Sequence, residues 1–304
     1  MLKAITAINP SGESLRLELG QPEKSGFLVE SIDGLGPEKV QLDTTDNALG
    51  DGAFLNSAKK STKSIVLNLK YIWKKNTTIE QLRLITYKFF PLKKQIKLIV
   101  ESDIKATTID VYVESNEPDI FSQTSGTAIT MTAMFPYFKS SGYRENKFTG
   151  IEAMFEFPFC NDDLIEPLLE MSNFRNKTTR NILYGGDHET GVIISIELLG
   201  ETGDIGIYNV TSNEALFLSI AKIKKRANNK IVKGDKIIIC TEFGKKSAKL
   251  YREDGVYNIL NSVSKDSKWL TIDSGDNMFS YAASANPENI EDFKIENAIL
   301  YEGM

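Results

Sequence analysis

The chain has 304 residues, is 41% hydrophobic and 25% charged, and carries a formal net charge of −5. That length suggests about two domains, each large enough to bury a core without metal or disulfide staples. The acidic balance argues against a general nucleic-acid binder, which needs excess Lys and Arg to neutralise phosphates, and two cysteines far apart in sequence, Cys160 and Cys240, exclude a disulfide framework and argue against a zinc site.

Both cysteines read as buried small hydrophobes, with a single long-range disulfide as the alternative. Residues Met1 to Gly12 lack the sustained apolar run of a signal peptide. The most apolar stretches, such as Ile96 to Val100, are strand-sized and too short to span a bilayer. The expectation is a protein made and folded in a cytoplasm.

Along the chain the dominant pattern is alternation with period two, the mark of half-buried strands. Ile65, Leu67, Leu69, Tyr71 and Trp73 fall on one face, with Asn68 and Lys70 on the other. Thr77-Thr78-Ile79-Glu80 reads as a capping box built on Thr77 and Glu80, opening a helix with Ile79, Leu82, Ile85 and Phe89 at helical spacing and Pro91 as its stop. Alternation resumes at Ile109, Val111 and Val113, and again at Ile129, Met131, Ala133 and Phe135. It returns at Ile194, Ile196 and Leu198, and at Phe293 and Ile295 running on to Ile299 and Tyr301. Turn residues separate the runs at Gly34 to Pro37, Gly50 to Gly52, Gly185 to Asp187, Gly203-Asp204, Gly234-Asp235 and Gly275 to Asn277. The polar stretch Lys139 to Gly150 suits a connector between domains. The first half thus reads as a sheet structure with one embedded helix. The second reads as nearly all strand, a sandwich or jelly roll.

Residues that could carry chemistry mostly read as surface. His188, the single histidine, sits among glycines and acids in Gly185 to Gly191 and reads as an exposed hairpin turn. The adjacent pairs Asp162-Asp163 and Glu291-Asp292 would point to opposite faces of a strand. Asp273 to Asn277 has calcium-loop composition without the EF-hand spacing, and reads as a turn. There is no GxxxxGK[ST] and no strand–GxGxxG–helix unit. The basic run Lys222 to Arg226 reads as the exposed face or end of a strand, or as a contact for an acidic partner. Lys59-Lys60 and Lys245-Lys246 read as turn residues. Trp73 and Trp269 read as core, with sugar stacking as the alternative. Three N-x-[ST] triplets, at Asn76, Asn176 and Asn209, read as chance matches. No catalytic, cofactor-binding or metal-ligating residue is assigned.

Taken together, several stretches resemble the distal tail proteins (Dit) of long-tailed phages. In the first half these are Asp33 to Pro37, Leu49 to Phe54, the strand Ser64 to Tyr71, Phe89 to Lys93, Tyr112 to Phe121 and Phe135 to Phe138. In the second half they are Glu156 to Phe159, Tyr184 to Asp187, Lys233 to Ile237, Ser267 to Leu270, Asp273 to Asn277 and Tyr281 to Ala283. The resemblance implies a mainly β fold. Residues 1–140 would be a ring-forming N-terminal domain, sandwich- or barrel-like with one embedded helix; residues 141–304 would be a galectin-like β-sandwich. It implies a homohexameric ring at the tail tip of a virion or tail-like particle. Its partners would be the tail tube protein, the tail-tip hub, and baseplate or receptor-binding proteins. A membrane anchor and direct nucleic-acid contact are not expected. The alternative is a carbohydrate- or receptor-binding protein acting through the C-terminal sandwich, since a shared fold does not carry function; a tail-associated hydrolase is the third reading. The long polar segment Asp43 to Ser61 is expected to contact neighbouring subunits.

Overall fold

The computed structural model describes residues 1–47, 49–72, 77–120, 125–153, 172–176 and 178–304. The chain divides into two compact units, Met1–Gly142 with Leu300–Met304, and Tyr143–Ile299.

In the first unit the strands are β1 (Leu2–Ile8), β2 (Ser14–Glu18), β3 (Phe27–Asp33), β4 (Val40–Asp46), β5 (Ala53–Lys60), β6 (Lys63–Tyr71), β7 (Gln95–Ser102), β8 (Ala106–Pro118), β9 (Gly126–Ala133) and β10 (Phe138–Ser140). The main sheet runs β2-β1-β7-β8-β9-β6-β3. Its two edge strands, β2 and β3, are joined through a single-turn helix, α1 (Pro22–Ser25). Period-two patterning sets the core. β6 buries Ile65, Leu67, Leu69 and Tyr71 and turns the residues between them outward. These side chains meet Ile5, Leu98, Val100, Val111, Ile129 and Met131 in one cluster.

The helix α2 (Ile79–Phe89) lays Leu82 and Thr86 into this core, with Ile85 and Phe89 partly buried against it. Its capping box lies one residue later than the sequence pattern suggests. The Thr78 hydroxyl accepts from the Gln81 amide at 3.2 Å, and the Gln81 side chain accepts from the Thr78 amide at 3.0 Å. Thr77 and Glu80 make no such pair, because Thr78 is the last residue with extended backbone, and only that residue can cap. Trp73 and Asn76 lie outside the described residues.

The stretch around residue 140 is structured rather than a free connector. β10 pairs with β8 and with the C-terminal strand Leu300–Tyr301. The expected run from Phe293 to Tyr301 is accordingly broken. Its last residues leave the second unit and join the first. Three lysines hold this tail. Lys63 is fully buried and donates to the carbonyls of Gly36 and Glu302, with its ammonium 5.1 Å from the centre of the Phe138 ring. Burial holds its pKa below the ordinary lysine value. Lys60 forms an ion pair with the Glu302 carboxylate. Lys105 donates to the Gly303 carbonyl at 3.1 Å and sits 3.9 Å from the centre of the Tyr301 ring. Lys60 therefore lies on a strand, and not in the turn its sequence neighbours suggest.

In the second unit the strands are β11 (Arg144–Lys147), β12 (Thr149–Ala153), β13 (Ser172–Asn176), β14 (Thr179–Tyr184), β15 (Thr190–Gly191), β16 (Ile193–Leu198), β17 (Ile205–Asn209), β18 (Glu214–Leu218), β19 (Asp235–Cys240), β20 (Ser247–Arg252), β21 (Gly255–Asn258), β22 (Thr271–Ile272), β23 (Gly275–Ala283) and β24 (Ile290–Asn297). One sheet is ordered β11-β24-β16-β19-β20-β21 and a second β14-β23-β17-β18, with β12-β13 and β15-β22 as small pairs. The two sheets form a sandwich. Tyr281 of β23 stacks on Phe293 of β24 with ring centres 4.2 Å apart, and Phe148 meets Phe293 edge-on at 4.9 Å. β23 begins at Gly275, so Asp276 and Asn277 belong to a strand and the turn before it is Asp273-Ser274.

The basic run near residue 224 is not a strand. It lies on α3 (Ile220–Arg226), which buries Ile220 and Ile223. The Asp204 carboxylate accepts the Ile220 amide at 2.7 Å and so caps the helix from a distant loop. No local cap announced it. The loop after α3 is pinned by a fork-to-fork ion pair. Arg252 donates to both oxygens of the fully buried Asp235, at 2.7 and 2.6 Å, and to the carbonyls of Ala227 and Lys230.

Arg252→Ala leaves the Asp235 carboxylate buried beside only the Val232 amide. It should cost about 3–5 kcal/mol, read as a fall in the urea midpoint, whereas Lys224→Ala, which removes a partly exposed pair with Glu201, should cost about 1 kcal/mol or less. Deleting Leu300–Met304 removes one of the two carbonyls that solvate the Lys63 ammonium and should cost about 3 kcal/mol or more; Glu302→Ala keeps that carbonyl and should cost under about 1 kcal/mol in the same assay.

Candidate assembly surface

The segment 43–61, expected as a long loop, is most of a β-hairpin. β4 and β5 pair antiparallel from Val40↔Lys60 to Asp46↔Ala53. The turn closes with the Asn47 amide donating to the Gly52 carbonyl at 3.1 Å. Among the described residues these strands pair only with each other, so both long edges of the hairpin keep unpaired backbone groups.

The register sorts the side chains. Val40, Leu42 and Thr44 share a face with Leu55 and Ala58, and Gln41, Asp43 and Thr45 share the other with Phe54 and Ser57. The pairing steps from Asp43↔Ser57 to Thr44↔Leu55, which leaves Asn56 as a bulge, its amide donating to the Thr45 hydroxyl at 2.7 Å. The bulge keeps Leu55 in phase with Leu42. The result is an amphipathic ribbon whose apolar face meets solvent. Leu42 and Leu55 are each 60% exposed on that face, and Phe54, on the opposite face, is 69% exposed. Burying each such side chain is worth about 1.5–3 kcal/mol, and a lone two-stranded ribbon is marginal in water. The ribbon has the character of a surface waiting for cover.

Its root is rigid. Gly34, at φ +85°, turns the chain from β3 towards the hairpin, and a Cβ there would lie 2.0 Å from the Ser64 carbonyl oxygen. Only glycine fits, which gives a physical reason for one residue of the Asp33 to Pro37 stretch. On the far side Lys60 and Lys63 tie the hairpin base to the C-terminal tail.

The other singled-out residues do not converge. His188 lies in the turn before β15, and its carbonyl accepts the Tyr184 hydroxyl at 2.9 Å. Glu291 and Asp292 are neighbours on β24. Cys240 is half-buried, where full burial was expected, because it ends β19 at the sheet margin. Trp269 is half-buried, with the Lys246 ammonium 5.6 Å from its ring centre. Asn209 is buried, donates to the Thr271 carbonyl at 2.8 Å and accepts the Thr211 amide. Cys160 and Asp162-Asp163 fall outside the described residues. Among the described residues no group of three His, Cys, Asp or Glu side chains is placed to hold a metal. Among the described residues no helix is long and apolar enough to cross a membrane.

No family model and no curated protein matches the sequence. Solved structures do match the fold. The crystal structure of the Dit protein of phage SPP1, described as a paradigm of the hub adsorption apparatus in phages that infect Gram-positive bacteria, is 10% identical, with 98% of this chain and 99% of that one covered at a TM-score of 0.66. A chain of the phage P2 baseplate in its activated conformation with Ca is also 10% identical, with 98% of each chain covered at a TM-score of 0.52. At such identity the likeness is one of fold, and it spans both units. Over nearly its whole length, the chain carries the two-unit β fold of the phage distal tail proteins.

Proposed function

We propose that the chain is a structural component of a virion, the distal tail ring that joins the tail tube to the tail tip or baseplate. Six copies close the ring through the first unit. The second unit, a galectin-like platform in this reading, docks baseplate or receptor-binding proteins. The tube protein lies on one side and the tail-tip hub on the other. The ring is assembled in the bacterial host cytoplasm and ends at the tip of a phage tail or tail-like particle. The role is mechanical, and it calls for no catalytic group, metal or cofactor.

The observation that carries this reading is the likeness to a hub protein across both units, at 98% coverage of the chain. The hairpin supports it independently. A monomer exposing Val40, Leu42 and Leu55 on one ribbon face gains by covering them, and a closed cyclic assembly covers the same patch on every copy with no subunit left over.

Native mass spectrometry with negative-stain imaging tests the proposal. For a 34.0 kDa chain the hexamer has a mass of about 204 kDa. Rings of that mass are expected, alone or on mixing with the tube and hub proteins. Leu42→Asp with Leu55→Asp should leave a folded monomer of unchanged circular dichroism that no longer closes. A chain that stays monomeric with both partner proteins present would reject the ring. Intact rings from the double variant would reject the hairpin as the contact.

A further inference from the structure

The second unit carries a basic face in an acidic chain. On α3, Lys222, Lys225 and Arg226 lie at i, i+3 and i+4 and so share one side of the helix. Lys224 is paired with Glu201 at 2.9 Å, but among the described residues the other three have no carboxylate partner. The helix itself explains two of them. Lys225 and Arg226 sit in the last turn, where cations suit the helix dipole. Lys222 sits in the first turn, where the helix itself carries no acidic residue and the neighbouring carboxylate is that of Asp204, which caps the Ile220 amide.

Lys222 lies where two grooves meet. One, of about 450 Å³, opens on the outer face of β17, β18 and β23, and its lining includes the Asp204 carboxylate, Gly206, Tyr208, Phe217, Ser219 and Ser284 as well as Lys222. The other, of about 400 Å³, is lined by Lys222, Lys225, Arg226, Asn261 and Ser262. The floor of the first is aromatic. A Cβ on Gly206 would lie 2.5 Å from the Tyr208 hydroxyl, so the ring reclines over the glycine along the sheet. Tyr208 and Phe217 meet edge to face with centres 5.8 Å apart. Phe217 stays 38% exposed between the buried Leu216 and Leu218.

An aromatic floor, serine hydroxyls at the rim and three cations against the single Asp204 carboxylate make a specific combination. Aromatic rings take the apolar face of a sugar, hydroxyls take its hydroxyl groups, and Lys and Arg take carboxylate or phosphate substituents. The geometry points to an anionic oligosaccharide lying across the Tyr208–Phe217 groove with its charged groups on Lys222, Lys225 and Arg226. An acidic peptide would use the cations and leave the aromatic floor without a role. The site lies within the second unit and is independent of ring assembly.

Isothermal titration of the full chain tests it, with oligogalacturonate carrying carboxylates, phosphomannan oligosaccharide carrying phosphates, neutral maltohexaose, and polyglutamate. Saturable binding of at least one anionic glycan is expected, weakened at high salt, with no binding of maltohexaose. Tyr208→Ala and the charge reversal Lys222→Glu with Lys225→Glu should each weaken that binding by about tenfold or more. Phe217→Ser serves as a second floor variant should Tyr208→Ala fold poorly. Failure of both anionic glycans to bind overturns the inference. Binding of polyglutamate as tight as the glycans and unmoved by the floor variants also overturns it, and assigns the face to an acidic protein.

Discussion

The Lys63 ammonium is shut away from bulk solvent. It is fully buried and donates to the backbone carbonyls of Gly36 and Glu302, one in the loop that launches the hairpin, the other in the C-terminal tail. A buried charge is tolerated only when it is fully solvated by the protein. Both carbonyls are therefore held in place, and much of the first unit's architecture follows. The tail must return to the first unit, its strand must lie beside β10, and the hairpin base must sit against it. The second unit is an excursion between two adjacent antiparallel strands, Phe138–Ser140 and Leu300–Tyr301, and not a simple C-terminal appendix.

This arrangement separates rigidity from exposure. The base of the hairpin is fastened by Gly34, Lys60 and Lys63, while its apolar ribbon face is left open. A ribbon held firmly at one end and uncovered along its length loses little entropy on docking, because its root is already ordered. The same bulge that breaks the ladder at Asn56 keeps Leu42 and Leu55 on one face. A continuous register would have turned Leu55 to the other face and brought Phe54 round in its place. Local irregularity here serves the surface rather than the core.

The second unit is built on different terms. Its sheets are joined by the stacked rings of Tyr281 and Phe293 and by Phe148 against both. A strongly polar anchor, Asp235 with Arg252, orders the loop that follows α3. With the inner face apolar and that loop pinned, the outer face of β17 and β18 and the exposed side of α3 can vary without cost to the core. They carry Tyr208, Phe217 and Lys222, the side chains that distinguish this surface chemically from the rest of the sandwich.

Period-two patterning determined most of the strands and their buried faces from sequence alone. Ile65 to Tyr71, Ile109 to Val113, Ile194 to Leu198 and Phe293 to Ile295 could be read because side-chain alternation is a local property of extended chain. The helix at Ile79 was legible too, with its cap misplaced by one residue, since adjacent threonines offer equivalent hydroxyls and only the backbone turn chooses between them. Polar segments were not legible. The hairpin 43–61 looked like loop because neither of its faces is buried in the chain itself, and α3 looked like strand because its cap, Asp204, comes from a distant loop. Tertiary structure alone decided where the last five residues go, that Lys63 is interior, and that Lys222 lies beside Tyr208 and Phe217. Each depends on partners far away in sequence, on long-range packing and charge solvation that no local pattern encodes.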